Sequence, residues 1–208
     1  MLNHYKMAEI IYRRMKRNGM GLKRFPFILG NLAPDLYFSF LFRRHEYGCS
    51  ILSVKEAVFR LYDGRFDPCS SLFAYLMGIV SHYICDYFCY SHSPAFRGNL
   101  LDHIKYEWIQ RMADAKRVSF SGQEGYMMGF HRLMDTLDEY VRAHDHALML
   151  DAAAAQTDLA MGTAVAEWLT EAVFCSAERR SALSAEAAGT VFTALGHNPG
   201  SGLPGFYL

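Results

Sequence analysis

Five residues with metal-binding side chains lie within 26 positions near the middle of the chain: His82, Asp86, His92, His103 and Glu107. The first two are four residues apart, and so are the last two. Because an α-helix turns once in about 3.6 residues, each such pair lies on one face of a helix. Zn²⁺ accepts imidazole nitrogen and carboxylate oxygen where thiolates are absent, and helix-borne pairs can meet in a bundle core. The spacing therefore predicts a site for several zinc ions and metal-assisted hydrolysis.

Three further candidate ligands precede this group, namely His4, Asp35 and His45. Taken singly, each histidine has a structural interpretation, since a terminal or loop histidine is often exposed and one in an apolar helix is often a satisfied core residue. The order and register of all eight residues favour metal binding instead. The 5 cysteines contain no CxxC pair and indicate neither a disulfide framework nor thiolate ligands.

The elements that position these ligands are predicted to be helices, because apolar residues recur at intervals of three and four and strand-forming residues are sparse. The sequence predicts a single-domain, all-α helical bundle. The first ligand pair falls on a central helix that is capped by Ser70 or Ser71 and ends near residue 90. The second pair falls on a helix from residue 99 or 100 to about 116, and Pro34 places Asp35 at a sharp turn. Other predicted helices cover residues 3–17, 51–62, 123–149, 157–178 and 184–195.

The composition is that of an ordinary globular protein. Of 208 residues, 51% are hydrophobic and 20% are charged, and the formal net charge is zero. No stripe of basic and aromatic residues favours a nucleic-acid surface. No secretory signal is recognised near the N-terminus, and the apolar stretch 72–90 contains His82 and Asp86, which favours a buried ligand helix over a membrane span. We therefore expect a cytoplasmic protein.

The eight residues in this order resemble the ligand array of the bacterial zinc-dependent phospholipase C family. That array has a histidine near the N-terminus, an aspartate followed by a histidine, an HxxxD, a histidine six residues later and an HxxxE. The resemblance covers roughly residues 1–110 and implies an all-α fold that binds three zinc ions in a cleft. It also implies how the ligands are shared: one zinc on Asp35, His45 and His82, a second bridged to it by Asp86 and bound by His4, and a third on His92, His103 and Glu107.

Two positions depart from the secreted members of the family. Those enzymes begin with a processed tryptophan whose amine and carbonyl complete one zinc site, whereas this chain begins with Met1. A water or the Met1 amine would have to substitute, so we expect two zinc ions from residues 35–107 and leave a third, which depends on His4, open. Choline-specific members carry a tyrosine directly after the aspartate, where this chain has Leu36, so choline specificity is not expected.

The leading hypothesis is a zinc-dependent phosphoric diester hydrolase in which Asp35 orients or deprotonates the attacking water. The expected substrate is a phospholipid or another small phosphodiester. Neither nucleic acid nor a protein partner is favoured, and peripheral contact with a membrane is left open. We assign residues 1–196 to one phospholipase C-like domain and residues 197–208 to a flexible tail.

Two alternatives share the same ligands. In one, the protein is not catalytic and the metal ions hold its helices together. In the other, it is a single-strand-specific zinc nuclease. Related nucleases end the array with HxxxD, so Glu107 favours the phospholipase interpretation.

Overall fold

The computed structural model describes residues 2–36, 45–113, 127–144 and 151–196, and within these ranges the chain forms helices and no strands. The seven α-helices of these ranges are α1 (Leu2–Arg17), α2 (Arg24–Leu36), α3 (Tyr47–Tyr62), α4 (Ser71–Tyr87), α5 (Leu100–Met112), α6 (Phe130–Ala143) and α7 (Ala152–Gly196). A short 3₁₀ turn, Tyr90–His92, lies between α4 and α5. The predicted all-α fold is confirmed. The predicted tail, 197–208, lies outside the described residues.

Helix α4 lies at the centre of the bundle, where α2, α3 and α7 pack around it. Its first turn is capped by Ser70, whose Oγ accepts a hydrogen bond from the N–H of Phe73 at 3.1 Å. Every residue from Val80 to Tyr87 is buried, and this stretch includes His82 and Asp86. The first ligand pair therefore faces the interior. Within the described ranges, no helix combines the length and the hydropathy that a membrane crossing requires.

Two glycines allow α2 to approach α4 closely. A Cβ atom at Gly30 would lie 1.9 Å from the carbonyl oxygen of Tyr75, and one at Gly78 would lie 2.2 Å from that of Phe27. Neither contact is sterically tolerable, so this helix pair requires glycine at both positions. The close approach brings the last two turns of α2, with Asn31 and Asp35, against the ligand-bearing end of α4.

The prediction that Pro34 places Asp35 at a sharp turn is wrong. Helix α2 continues through Pro34 to Leu36, so Asp35 lies in its last turn. Pro34 has no N–H to donate to the carbonyl of Gly30, so α2 lacks one backbone hydrogen bond at this point. Burial of Phe27 and Ala33 offsets this loss.

The predicted boundaries of the last helices also need correction. Helix α6 begins at Phe130, after Gly129, and not at residue 123; residues 114–126 and 145–150 lie outside the described ranges. The two helices predicted over 157–178 and 184–195 are a single helix, α7. The segment between them contains neither glycine nor proline and consists of residues that propagate a helix readily.

Candidate metal centre

Asp86, in the last turn of α4, is the carboxylate around which the predicted ligands gather. Its Oδ1 lies 3.1 Å from Nε2 of His4 and 3.6 Å from Nε2 of His92. Its Oδ2 lies 2.8 Å from Nδ1 of His45 and 3.1 Å from Nε2 of His82. The four histidines come from α1, the 3₁₀ turn, the residues before α3, and α4 itself. A nearly inaccessible carboxylate, 3% exposed, is thus ringed by imidazole nitrogens.

His82 is oriented by the backbone of α2. Its Nδ1 lies 2.8 Å from the carbonyl oxygen of Asn31, which only accepts hydrogen bonds. Nδ1 must therefore carry the proton, and in the neutral ring Nε2 presents a lone pair to Asp86. Burial, and then the charge of neighbouring His4, lowers the pKa of His82 and keeps it neutral. A lone pair that faces a carboxylate is favourable only with a cation between them, and a carbonyl behind the ring is the usual support of a metal-binding histidine.

His92, His103 and Glu107 form the outer part of the site. On α5, Nε2 of His103 lies 3.1 Å from Oε1 of Glu107, and Nε2 of His92 lies 3.9 Å from the same oxygen. The start of α5 is fixed by a capping box between Asn99 and Asp102. Asp102 therefore serves the helix start and not the metal site, as its position on the helix indicates.

Asp35 lies at the edge of the inner group. Its Oδ1 is 3.8 Å from Nε2 of His82, and the His82 ring stacks on His4 with ring centroids 3.8 Å apart. The Asp35 side chain is 23% exposed, whereas that of Asp86 is almost sealed. Of these two acids, only Asp35 is open to a molecule that enters from solvent.

All three carboxylates of the site stay ionised. Burial alone would raise the pKa of Asp86, but His92 and the hydrogen bond from His4 hold it well below its usual range. Burial is likewise outweighed at Asp35, where His4 lowers the pKa, and at Glu107, where the hydrogen bond from His103 and the nearby His92 lower it. The site therefore combines three negative charges with nitrogen ligands, which is a donor set for cations.

The residues fit bound zinc in number, type and spacing. They form three groups whose ligand atoms lie within 4.8 Å of one another: His4, Asp35 and His82; His45, His82 and Asp86; and His92, His103 and Glu107. The last group is the one that the resemblance implies, whereas the first two pair the inner residues differently. Both side-chain polar atoms of Asn31 and Nδ1 of His4 are buried without a hydrogen-bond partner among the described residues, as expected beside a bound group.

The comparison with known families decides the identity of the chain. The family model for zinc-dependent phospholipase C matches residues 3–151. The chain belongs to the zinc-dependent phospholipase C family. No curated protein and no solved structure matches it. The family match extends beyond the predicted range of about 1–110 and contains all eight candidate ligands, which we call the Asp86 cluster.

A second buried carboxylate, Asp158 of α7, lies outside the segment matched to the phospholipase C family. It accepts hydrogen bonds from the backbone N–H of Tyr90 at 2.7 Å, the hydroxyl of Tyr106 at 2.6 Å and Nε2 of His144 at 2.9 Å. Tyr90 begins the turn that carries His92, and Tyr106 precedes Glu107 on α5. This Asp158 network therefore ties the outer metal group of the phospholipase C-like site to α7.

Sequence reasoning missed the residues that support the site. The Asn31 carbonyl carries no sequence signal, while a single aspartate in the apolar segment around Asp158 indicates a buried, hydrogen-bonded acid. His144 has a buried side chain and contacts Asp158. His131, whose HxxxD pair with Asp135 imitates the ligand motif, is exposed on α6. The Met1 amine, His146 and His197 lie outside the described residues.

Proposed function

We propose that this member of the zinc-dependent phospholipase C family hydrolyses the phosphodiester bond of a phospholipid or a similar small phosphodiester. One observation supports the proposal above others: eight residues from six separate segments converge on one site, where the carboxylates are ionised and the buried His82 is neutral. A structural role alone would be served by far fewer buried charges, since each one is costly to desolvate.

The three ligand groups would hold the zinc, with at least two ions on residues 35–107 and a third on the group that includes His4. Bound zinc supplies Lewis acidity to the phosphoryl oxygens and activates water near neutral pH. Asp86 keeps the inner imidazoles together through its two oxygens. The Asn31 carbonyl oxygen, 2.8 Å from Nδ1 of His82, fixes the orientation of the His82 ring.

We assign the general base to Asp35, the inner acid that solvent reaches. As the water oxygen bonds to phosphorus, its proton passes to the ionised Asp35 carboxylate. The bond from phosphorus to the leaving alkoxide then breaks, which yields an alcohol after protonation and a phosphomonoester. For a phospholipid, these products are diacylglycerol and the phosphorylated head group.

The test measures bound zinc and hydrolysis of a water-soluble, short-chain phospholipid by the same protein. We expect zinc in the purified protein and activity that chelation abolishes and zinc restores. His82→Ala should lose the zinc of the two inner groups together with activity, whereas His131→Ala, in the chain's exposed HxxxD, should lose neither zinc nor activity. Asp35→Asn should lower kcat by about 10²–10⁴-fold and retain zinc; loss of zinc in parallel would make Asp35 a plain ligand.

Two outcomes would replace the proposal with an alternative. If bound zinc strongly stabilises the protein but the protein hydrolyses no phosphodiester, the first alternative holds, in which the metal ions hold the helices together without catalysis. Zinc-dependent cleavage of single-stranded nucleic acid, without cleavage of phospholipid, would identify a nuclease.

A further inference from the structure

Helix α5 has an apolar face that points to solvent. Its five large apolar residues there are between 53% and 75% exposed: Leu100, Leu101, Ile104, Trp108 and Met112. At about 100° per residue they fall within roughly a third of the circumference of the helix. The opposite side of α5 is buried through Tyr106 and Gln110. Helix α5 therefore has an outer apolar face in addition to the side that packs on the protein. We call this outer apolar face the α5 face, and it lacks a partner among the described residues.

The charges around the α5 face are unbalanced. Lys105 and Arg111 are exposed, and Nζ of Lys6 lies 3.4 Å from the backbone carbonyl of Arg111. The acids of the helix are engaged elsewhere, because Asp102 closes the capping box and Glu107 contacts His103. The α5 face is therefore apolar along its length, and its cationic border consists of Lys105 beside it and Arg111 at its C-terminal end.

The α5 face adjoins the outer metal group on the same helix. Ile104 directly follows His103 and Trp108 directly follows Glu107, so the ligands and the apolar side chains alternate along two neighbouring faces. Glu107 lies only about 60° around the helix from Ile104, and its side chain is 34% exposed. A molecule whose apolar part contacts the α5 face can therefore present a polar head group to the metal site.

We infer that the α5 face docks onto the surface of a bilayer that contains anionic phospholipid. The inference rests on the proposed function, because it identifies how a membrane phospholipid reaches the site. Helices that lie in a membrane interface have this composition: leucine, isoleucine and methionine around an exposed tryptophan, with lysine and arginine at the border. The cationic border matches anionic head groups. A symmetric contact between two copies would instead set these cations against each other.

The two tryptophans of the chain allow a direct binding measurement. Trp108 is 60% exposed and Trp168 is 8% exposed, so a soluble quencher acts almost entirely on Trp108. Vesicles of equal parts phosphatidylglycerol and phosphatidylcholine should protect Trp108 from acrylamide and shift its emission to the blue, and the protein should co-sediment with them. Absence of both protection and co-sedimentation would overturn the inference.

Matched variants separate this face from apolar surface in general. Leu101→Ser should weaken vesicle binding by about tenfold, and Lys105→Gln with Arg111→Gln should weaken it by about fivefold per charge on anionic vesicles only. Leu52→Ser, at an 80% exposed leucine of α3, is the control and should bind as the wild type does. Bound zinc and Tm should be unchanged in all of these variants. Equal losses in Leu101→Ser and Leu52→Ser would contradict a specific surface.

Further measurements distinguish this inference from its competitors. A dimer on a sizing column that Leu101→Ser abolishes would assign the α5 face to a second copy of the chain and reject the bilayer. Hydrolysis of soluble short-chain phospholipid without vesicle binding would reject docking and leave the proposed function intact. Vesicle binding through the α5 face without any hydrolysis would support docking and reject the proposed function.

Discussion

Asp86 and Asp158 are both buried carboxylates that contact histidine, yet they differ in the groups that surround them. Each contact of Asp158 is to a group that carries a proton to donate: a backbone N–H, a tyrosine hydroxyl and an imidazole N–H. The contacts of Asp86 are all to imidazole nitrogens, and one of these, Nε2 of His82, has no proton in the neutral ring.

The difference separates a buried acid whose charge is satisfied by hydrogen bonds within the protein from one whose surroundings favour bound metal ions. At Asp158, the hydrogen bonds compensate for the loss of solvation within the protein itself. At Asp86, the Nε2 lone pair of His82 faces the carboxylate and two more ionised acids lie nearby, which is an arrangement that bound cations would stabilise. A chelator should therefore separate the two centres, since only the Asp86 cluster depends on metal.

The largest effect is expected from Asp86→Asn. The change removes the charge that the four imidazoles share, so zinc affinity should fall by more than about 100-fold, beyond the usual effect of a supporting residue. Zinc at about 1,000 times its Kd stabilises a one-site protein by about 4 kcal/mol, and most of this gain should disappear. Calorimetry of binding and of unfolding, with and without chelator, measures both quantities.

The control for this change is Asp135→Asn, in the exposed HxxxD of α6. It should leave zinc binding and the zinc-dependent rise in Tm at wild-type values. If Asp86→Asn kept its zinc, the contrast between the two buried acids would be lost and Asp86 would be a second structural carboxylate.

His103→Ala should remove one ion and not the whole cluster. His103 belongs only to the outer group with His92 and Glu107, which shares no residue with the two inner groups. The zinc content per chain should therefore fall by one ion while the ions at the inner groups remain, as measured by elemental analysis after dialysis. Loss of all zinc would show that the groups bind cooperatively and that the outer group is not independent. His144→Gln, at a histidine that contacts Asp158 and belongs to none of the three ligand groups, should retain the full zinc content.

Sequence reasoning predicted the features of the two centres that arise within single helices. The HxxxD and HxxxE pairs follow from helical periodicity, which is a local property, and the helical fold follows from the same pattern. The support of His82 by the Asn31 carbonyl could not be predicted, because it depends on the glycine-mediated approach of α2 to α4. The Asp158 network also depends on packing, since its partners lie as many as 68 residues apart in the sequence. The continuity of α7 was missed although residues 179–183, between the two predicted helices, contain neither glycine nor proline.

Asp158→Ala should destabilise the protein by about 3 kcal/mol, because it leaves buried donors on Tyr90 and Tyr106 without an acceptor. The decrease in the free energy of unfolding should be similar with zinc and with chelator, in contrast to the effect at Asp86. Urea denaturation under both conditions gives the comparison. A decrease that appeared only with zinc present would show that Asp158 acts through the metal site and would remove the distinction between the two centres.

Tyr106→Phe should have the smallest effect on stability, because it removes one hydroxyl and keeps the ring in the core. Asp158 retains the Tyr90 N–H and His144 as donors, so the free energy of unfolding should fall by only about 1 kcal/mol. Since Tyr106 precedes Glu107 on α5, the same change also reports whether the Asp158 network positions the outer ligands. If it does, zinc affinity should fall by about 10-fold at the outer site, as for other residues that orient a ligand. Unchanged affinity would show that the Asp158 network stabilises the fold without positioning the outer metal ligands.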